Sequence, residues 1–188
     1  MNNNDEWSEL IQEIKDNVRS HAGYFAWEGS SSIEEAGAVQ CFSESLDYKS
    51  QSFFHSIKSR ETDPPDCEAV NAQGEKIAIE VTELVDGKSI ANARQNKAIP
   101  WAPWSIEKLD KTISERIKRK DNPKEIKGGP YAEYILLIYS DEPAVLDFDL
   151  IEHIKNTKYG PTNLVTRAFF LTSYSPWEKC CPYLELKL

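Results

Sequence analysis

The sequence predicts an α/β domain built on a central sheet, and three observations predict it. Residues 67–70 and 76–84 are short apolar-rich runs on either side of a polar turn, the pattern of two paired strands. Tyr134-Ile135-Leu136-Leu137-Ile138-Tyr139 is a continuous apolar run, fit for a strand buried on both faces. Before and between these strands, apolar residues recur three, four and seven positions apart, as on one face of a helix.

The elements follow in chain order. Trp7, Leu10, Ile11, Ile14 and Val18 predict an amphipathic helix over residues 5–19, capped by Asn4 or Asp5 and forming, with the loop after it, an N-terminal addition over residues 1–31. Ser31 or Ser32 can cap a second helix that runs to about Leu46, with Glu35, Val39, Phe42 and Leu46 on one stripe. Ser52 to Lys58 reads as a strand, with His55 as a hydrogen-bonded structural histidine at its middle. Asn71-Ala72-Gln73-Gly74 is a turn, so residues 52–60, 66–73 and 76–84 are expected to form an antiparallel meander.

Residues 85–103 contain Asp86-Gly87, Pro100 and Pro103 and read as a long loop. The next helix covers residues 104–120, with Ile106, Leu109, Ile113 and Ile117 as its apolar stripe. Lys120 sits at the edge of that stripe, whereas Lys108, Lys111, Lys118 and Arg119 are expected to point further into solvent. Gly128-Gly129-Pro130 breaks the chain before the run at 134–139. Asp147 or Asp149 can begin a short helix through His153, and Thr166–Tyr174 and Tyr183–Leu188 read as strands. At 188 residues the chain is read as one domain, with a core over 32–140 and a C-terminal helix and strands over 141–188.

Composition excludes several classes. No window approaches 18 uncharged apolar residues, so no membrane-spanning helix is expected. Met1 to Glu6 is polar and acidic with no apolar segment behind it, so no secretory signal is expected. Cys41, Cys67, Cys180 and Cys181 lack a Cys-x-x-Cys spacing, which argues against structural zinc and for reduced thiols in a cytoplasm. The net charge of −9 argues against simple electrostatic binding to nucleic acid. Residues 104–127 nevertheless carry eight Lys and Arg against five Asp and Glu, which fits a local phosphate-binding surface or a solvated helix face. The chain has no Gly-x-Ser-x-Gly elbow, no Gly-Lys-Ser/Thr phosphate loop and no metalloprotease histidine pair.

Chemistry enters at residues 66–84. Along the strand over 76–84, Ile77, Ile79 and Val81 share one face, and Ala78, Glu80, Thr82 and Leu84 share the other. An acid inside so apolar a strand is costly unless something pairs with it. Asp66 opens the neighbouring strand and can lie within a few ångströms of Glu80, where two carboxylates repel unless a cation lies between them. Hard divalent cations such as Mg2+ take oxygen ligands of this kind. In the segment after the site, Arg94, Lys97 and Trp101 mix charge with a stacking ring and, with Lys118 of the following helix, are the candidate nucleic-acid contacts.

Pro65-Asp66, then 13 residues, then Glu80-Val81-Thr82 resembles the signature of the PD-(D/E)xK nucleases. The resemblance covers about residues 32–140 and implies a restriction-endonuclease-like αβββαβ core with a mixed central sheet. It implies Mg2+-dependent (or Mn2+-dependent) hydrolysis of phosphodiesters, most simply of DNA. Asp66, Glu80 and the Val81 carbonyl would hold the metal, and Glu35 of the first helix would supply a further acid. The family's lysine position is occupied by Thr82, a departure. A basic residue from elsewhere would then replace the lysine, and Lys120 is the candidate. The same departure, with the acidic composition, allows a different class: a protein that kept the fold, lost the chemistry and acts as an interaction, immunity or regulatory partner. Whether the chain forms a homodimer or binds another protein stays open in the sequence.

Overall fold

The computed structural model describes residues 23–25, 31–62, 64–95, 103–121, 126–142, 145 and 148–188. The expected helix over residues 5–19 lies outside them, as do Asp63, Lys97, Trp101, Asp147 and the side chain of Arg94. Helix α1 spans Ser31–Tyr48 and leads into strands β1 (Phe54–Ser59), β2 (Cys67–Asn71) and β3 (Lys76–Glu83). Two helices follow, α2 (Gly87–Arg94) and α3 (Ile106–Lys120), and then strand β4 (Glu133–Ser140). The chain ends with α4 (Phe148–Asn156), β5 (Arg167–Thr172) and β6 (Tyr183–Leu186). The six strands form one sheet in sequence order. β1, β2 and β3 pair antiparallel, β3–β4 and β4–β5 pair parallel, and β6 returns antiparallel to β5. The fold is thus α/β with a mixed, open sheet, and the expected three-strand meander is present.

The turn between β2 and β3 fixes their register. The Asn71 carbonyl accepts from Gly74 N at 3.0 Å, and the Asn71 side chain accepts from Gln73 N and Glu75 N at 3.0 and 2.8 Å. Gly74 sits at φ +81°, a conformation that glycine takes without steric cost. From that turn the pairing runs Val70↔Lys76, Glu68↔Ala78 and Cys67↔Ile79, which sets Asp66 opposite Glu80 one step further.

Helices cover both faces of the sheet. Val39, Phe42 and Leu46 of α1 pack on Ile77, Ile79 and Val81 with Ile135, Leu137 and Phe169. On the other face, Leu109, Ile113 and Ile117 of α3 and Leu150 and Ile154 of α4 cover Ala78, Leu84, Leu136, Ile138 and Phe170. Cover on both sides explains why β4 reads as an unbroken apolar run. Within the described residues no helix is long and apolar enough to cross a membrane.

Four expectations need correction. Residues 85–103 are not all loop, because α2 forms where Asp86 caps its first turn, accepting from Ser89 N at 2.8 Å and Ser89 Oγ at 3.0 Å. His55 is exposed on the edge strand, beside a break in register where Ser56 takes φ 57°. A bulge of this kind turns a side chain out of the regular alternation. Ile106 is 41% exposed, being the first helical residue after the Ser105 cap and not yet over the sheet. Lys108 does not point into solvent, since its ammonium lies 2.6 Å from Asp86 and 4.2 Å from the Trp104 ring centre. Trp104 itself is buried and closes that end of the core.

Candidate active site

The site grows out of the β2–β3 pair. Strand β3 is covered on both faces, so Glu80 is buried, with 4% of its side chain exposed. Asp66, one residue before β2, is buried too, and its Oδ2 accepts from Val81 N at 2.7 Å. That bond brings the Asp66 carboxylate against the main chain directly after Glu80. The N–H and C=O of one strand residue leave on the same side. The Val81 carbonyl therefore opens toward the same edge as Asp66, beyond the last paired residue of β2.

Glu80 points to the α3 face. Its Oε1 accepts from Lys120 Nζ in a close ion pair, and its Oε2 accepts from Tyr134 Oη at 3.1 Å. Tyr134 comes from β4, where the register Ala78↔Tyr134 and Glu80↔Leu136 places its ring beside the Glu80 side chain. Two residues on, Thr82 shares the face of Glu80 and is also buried. Its hydroxyl accepts from Arg119 Nη2 at 3.0 Å, although Arg119 is exposed, as expected from its place on the helix. A guanidinium on a long stem reaches back to the sheet even from the exposed flank of a helix.

Helix α3 therefore runs antiparallel to β3. Along the seam Lys120 meets Glu80, Arg119 meets Thr82, and Lys108 meets Asp86. From Lys108 to Lys120 the helix covers about 18 Å, enough to reach from Asp86 back to Glu80.

Cys67 reports the field of the acids. Burial, followed by the negative charges of Asp66, Glu35 and Glu80, pushes its thiol up to about 12. Glu35, half-buried near the start of α1, thus lies close enough to act on the same point as Asp66 and Glu80. Lys118 is exposed on α3. Among the described residues, no three His, Cys, Asp or Glu side chains converge tightly enough to form a metal-binding group by themselves. Asp66 meets the main chain at Val81, and Glu80, one residue before it, meets Lys120 and Tyr134.

A cavity of about 680 Å³ lies elsewhere, lined among others by Phe148, Tyr174 and Trp177 between α4 and the β5–β6 connection. None of Asp66, Glu80 and Thr82 lines it. Sequence reasoning missed Tyr134 and Arg119. A continuous apolar strand does not show which ring meets which acid, and a basic helix end does not show which cation turns inward. When the chain is compared with family models, curated proteins and solved structures, nothing matches.

Proposed function

We propose that this chain is a divalent-cation-dependent nuclease of the PD-(D/E)xK type that hydrolyses phosphodiester bonds, with DNA as the substrate to test first. The observation that carries the reading is the buried pair Asp66 and Glu80, set opposite one another across β2 and β3, with the Lys120 ammonium on Glu80. Two carboxylates and the Val81 carbonyl make an all-oxygen donor set, which suits Mg2+ or Mn2+ with waters in the remaining positions. An ionised carboxylate has about four acceptor positions, so Glu80 keeps capacity after its bonds to Lys120 and Tyr134. Bound there, the cation would polarise the phosphate and favour ionisation of a water.

The chain's own side chains supply the rest. Tyr134 and Lys120 hold Glu80 in one orientation from two sides. The Lys120 ammonium has three protons, and those not given to Glu80 can hold the attacking water and offset charge building on the phosphate. Thr82 carries no charge, so its part is limited to a hydrogen bond, and the positive charge beside it comes from Arg119. Glu35 adds negative charge from the opposite helix layer, which strengthens the pull on a cation.

A second reading has its own support. Lys120 already neutralises Glu80, and Thr82 stands where the motif has lysine, as expected of a nuclease fold serving as an interaction, immunity or regulatory partner. Incubation with plasmid, single-stranded DNA and RNA in Mg2+ or Mn2+ separates the two. The nuclease reading predicts cleavage of at least one substrate by the wild-type chain and none by Asp66→Ala or Glu80→Ala. Cleavage surviving in both variants places the chemistry elsewhere, and a wild-type chain inert on all three substrates favours the interaction partner.

A further inference from the structure

The basic end of α3 holds one feature that the metal reading does not use. Arg116 and Arg119 stand one helical turn apart, three residues along α3. Arg116 lies near the buried stripe, three residues after Ile113, and its Nε is covered by protein yet donates to no partner among the described residues. Burial, and next the like charge of Arg119, pull the Arg116 guanidinium below its ordinary value, while Glu83 and Glu115 act in the other direction. Arg119 gives one N–H to the neutral Thr82 hydroxyl. Each guanidinium has five N–H donors in a planar fork.

Arg119 is exposed and Arg116 half-buried, so two guanidinium groups of like charge stand on one flank of the helix with N–H donors left for an anion. A fork of parallel N–H groups matches the oxygens of a phosphate, which it can bind through two bonds at once. The position fits the chemistry next to it. Thr82 lies two residues from Glu80 on the same face, about 6–7 Å along the strand. An anion between Arg116 and Arg119 therefore sits one step along the seam from the Asp66 and Glu80 pair.

We propose that Arg116 and Arg119 form a phosphate subsite beside Thr82. It takes a backbone phosphate of the nucleic-acid strand and sets that strand against Asp66 and Glu80, a role that rests on the nuclease reading. A free inorganic phosphate offers the same oxygens but no neighbouring nucleotides, so the two sources differ in affinity and in salt dependence.

The test is binding of a fluorescently labelled DNA oligonucleotide to the full chain in EDTA, by anisotropy over a range of salt concentrations. EDTA removes cleavage and metal bridging from the measurement. Each phosphate contact contributes about 0.7–0.9 to the slope of log K against log salt. Arg119→Gln is expected to lower the slope by about that amount, and Arg116→Gln with Arg119→Gln by about twice as much. Lys111→Gln removes the same charge from an exposed site on the same helix and is expected to leave the slope within error. Arg116→Lys keeps the charge and loses the fork, so it tests the geometry should the glutamine variant fold poorly. It is expected to weaken binding while retaining most of the slope. Excess inorganic phosphate is expected to compete only at concentrations far above those of the oligonucleotide.

Equal effects of Lys111→Gln and Arg119→Gln overturn the subsite, as does a wild-type chain that binds no DNA. Displacement of the DNA by poly-glutamate at equal charge concentration overturns it in favour of an acidic protein partner. Because no metal is present, the two readings fail separately. Metal-dependent cleavage with an unchanged salt slope removes the subsite alone, and a reduced slope without cleavage removes the nuclease alone.

Discussion

Replacing Lys120 with methionine keeps most of the side-chain volume and removes the charge that faces Glu80. Glu80 has 4% of its side chain exposed and Lys120 has 22%, so the pair is largely withdrawn from water. Removing one partner of a buried pair costs about 3–5 kcal/mol, because the other charge is left uncompensated. Tyr134 still donates to Glu80, and Lys120 is the more exposed partner, so the loss belongs at the lower end, about 3 kcal/mol. In a chain of 188 residues this is a fall of about 6–12 °C in Tm. Adding Glu80→Gln removes the stranded charge and is expected to recover most of the loss, because a buried ion pair replaced by neutral groups is often close to neutral. Urea denaturation of the four proteins at pH 7 gives the coupling directly, with about 2 kcal/mol or more expected. Mn2+ at about 100 times its dissociation constant is expected to return about 2.7 kcal/mol to the Lys120→Met variant, because Glu80 then has a different cation to pair with. A Lys120→Met variant within about 0.5 kcal/mol of wild type, the range of an ordinary surface change, would refute the buried pairing.

Other consequences are equally direct. Lys120→Ala is expected to lower turnover on a cleaved substrate by roughly 10²-fold with metal affinity little changed, read from single-turnover rates and calorimetry. Asp86 would be raised by burial alone, but the Lys108 ammonium and the Ser89 amide and hydroxyl more than offset that and hold it at about 2. A carboxylate lowered in this way stabilises the fold above its unfolded value near 3.9 and stops doing so as pH falls toward 2. The stability difference between wild type and Asp86→Asn, up to about 2 kcal/mol at neutral pH, is expected to shrink as the pH falls from about 4 to about 2, and a difference that grows there would contradict the pairing. Ile113→Ala empties a fully buried position between α3 and the sheet and is expected to cost about 2–5 kcal/mol in urea unfolding.

The parts of the site that depend on local spacing were legible in the sequence. A polar turn at 71–74 fixes the register of the strands on either side, and that register alone sets Asp66 opposite Glu80. The alternation along β3 placed Glu80 and Thr82 on one face, and the stripe Leu109, Ile113, Ile117 turned that face of α3 inward with Lys120 at its edge. What local spacing does not carry was missed. Helix α2 is only eight residues long, and Asp86-Gly87 is as good a turn signal as a cap signal until Lys108 arrives from another helix. Tyr134 and Glu80 meet through a parallel pairing across 54 residues, whose register no turn encodes. Arg119 reaches Thr82 along a flexible stem, so its direction depends on where α3 crosses the sheet and not on its place in the helical repeat.

If Asp66 and Glu80 act as one cation site, calorimetric titration with Mn2+ reads it without any substrate. One Mn2+ is expected to bind per wild-type chain, with binding lost in both Asp66→Ala and Glu80→Ala while each variant keeps the circular dichroism of the folded chain. A wild-type chain that binds no Mn2+, or variants that bind it as the wild type does, would rule out a cation site at Asp66 and Glu80.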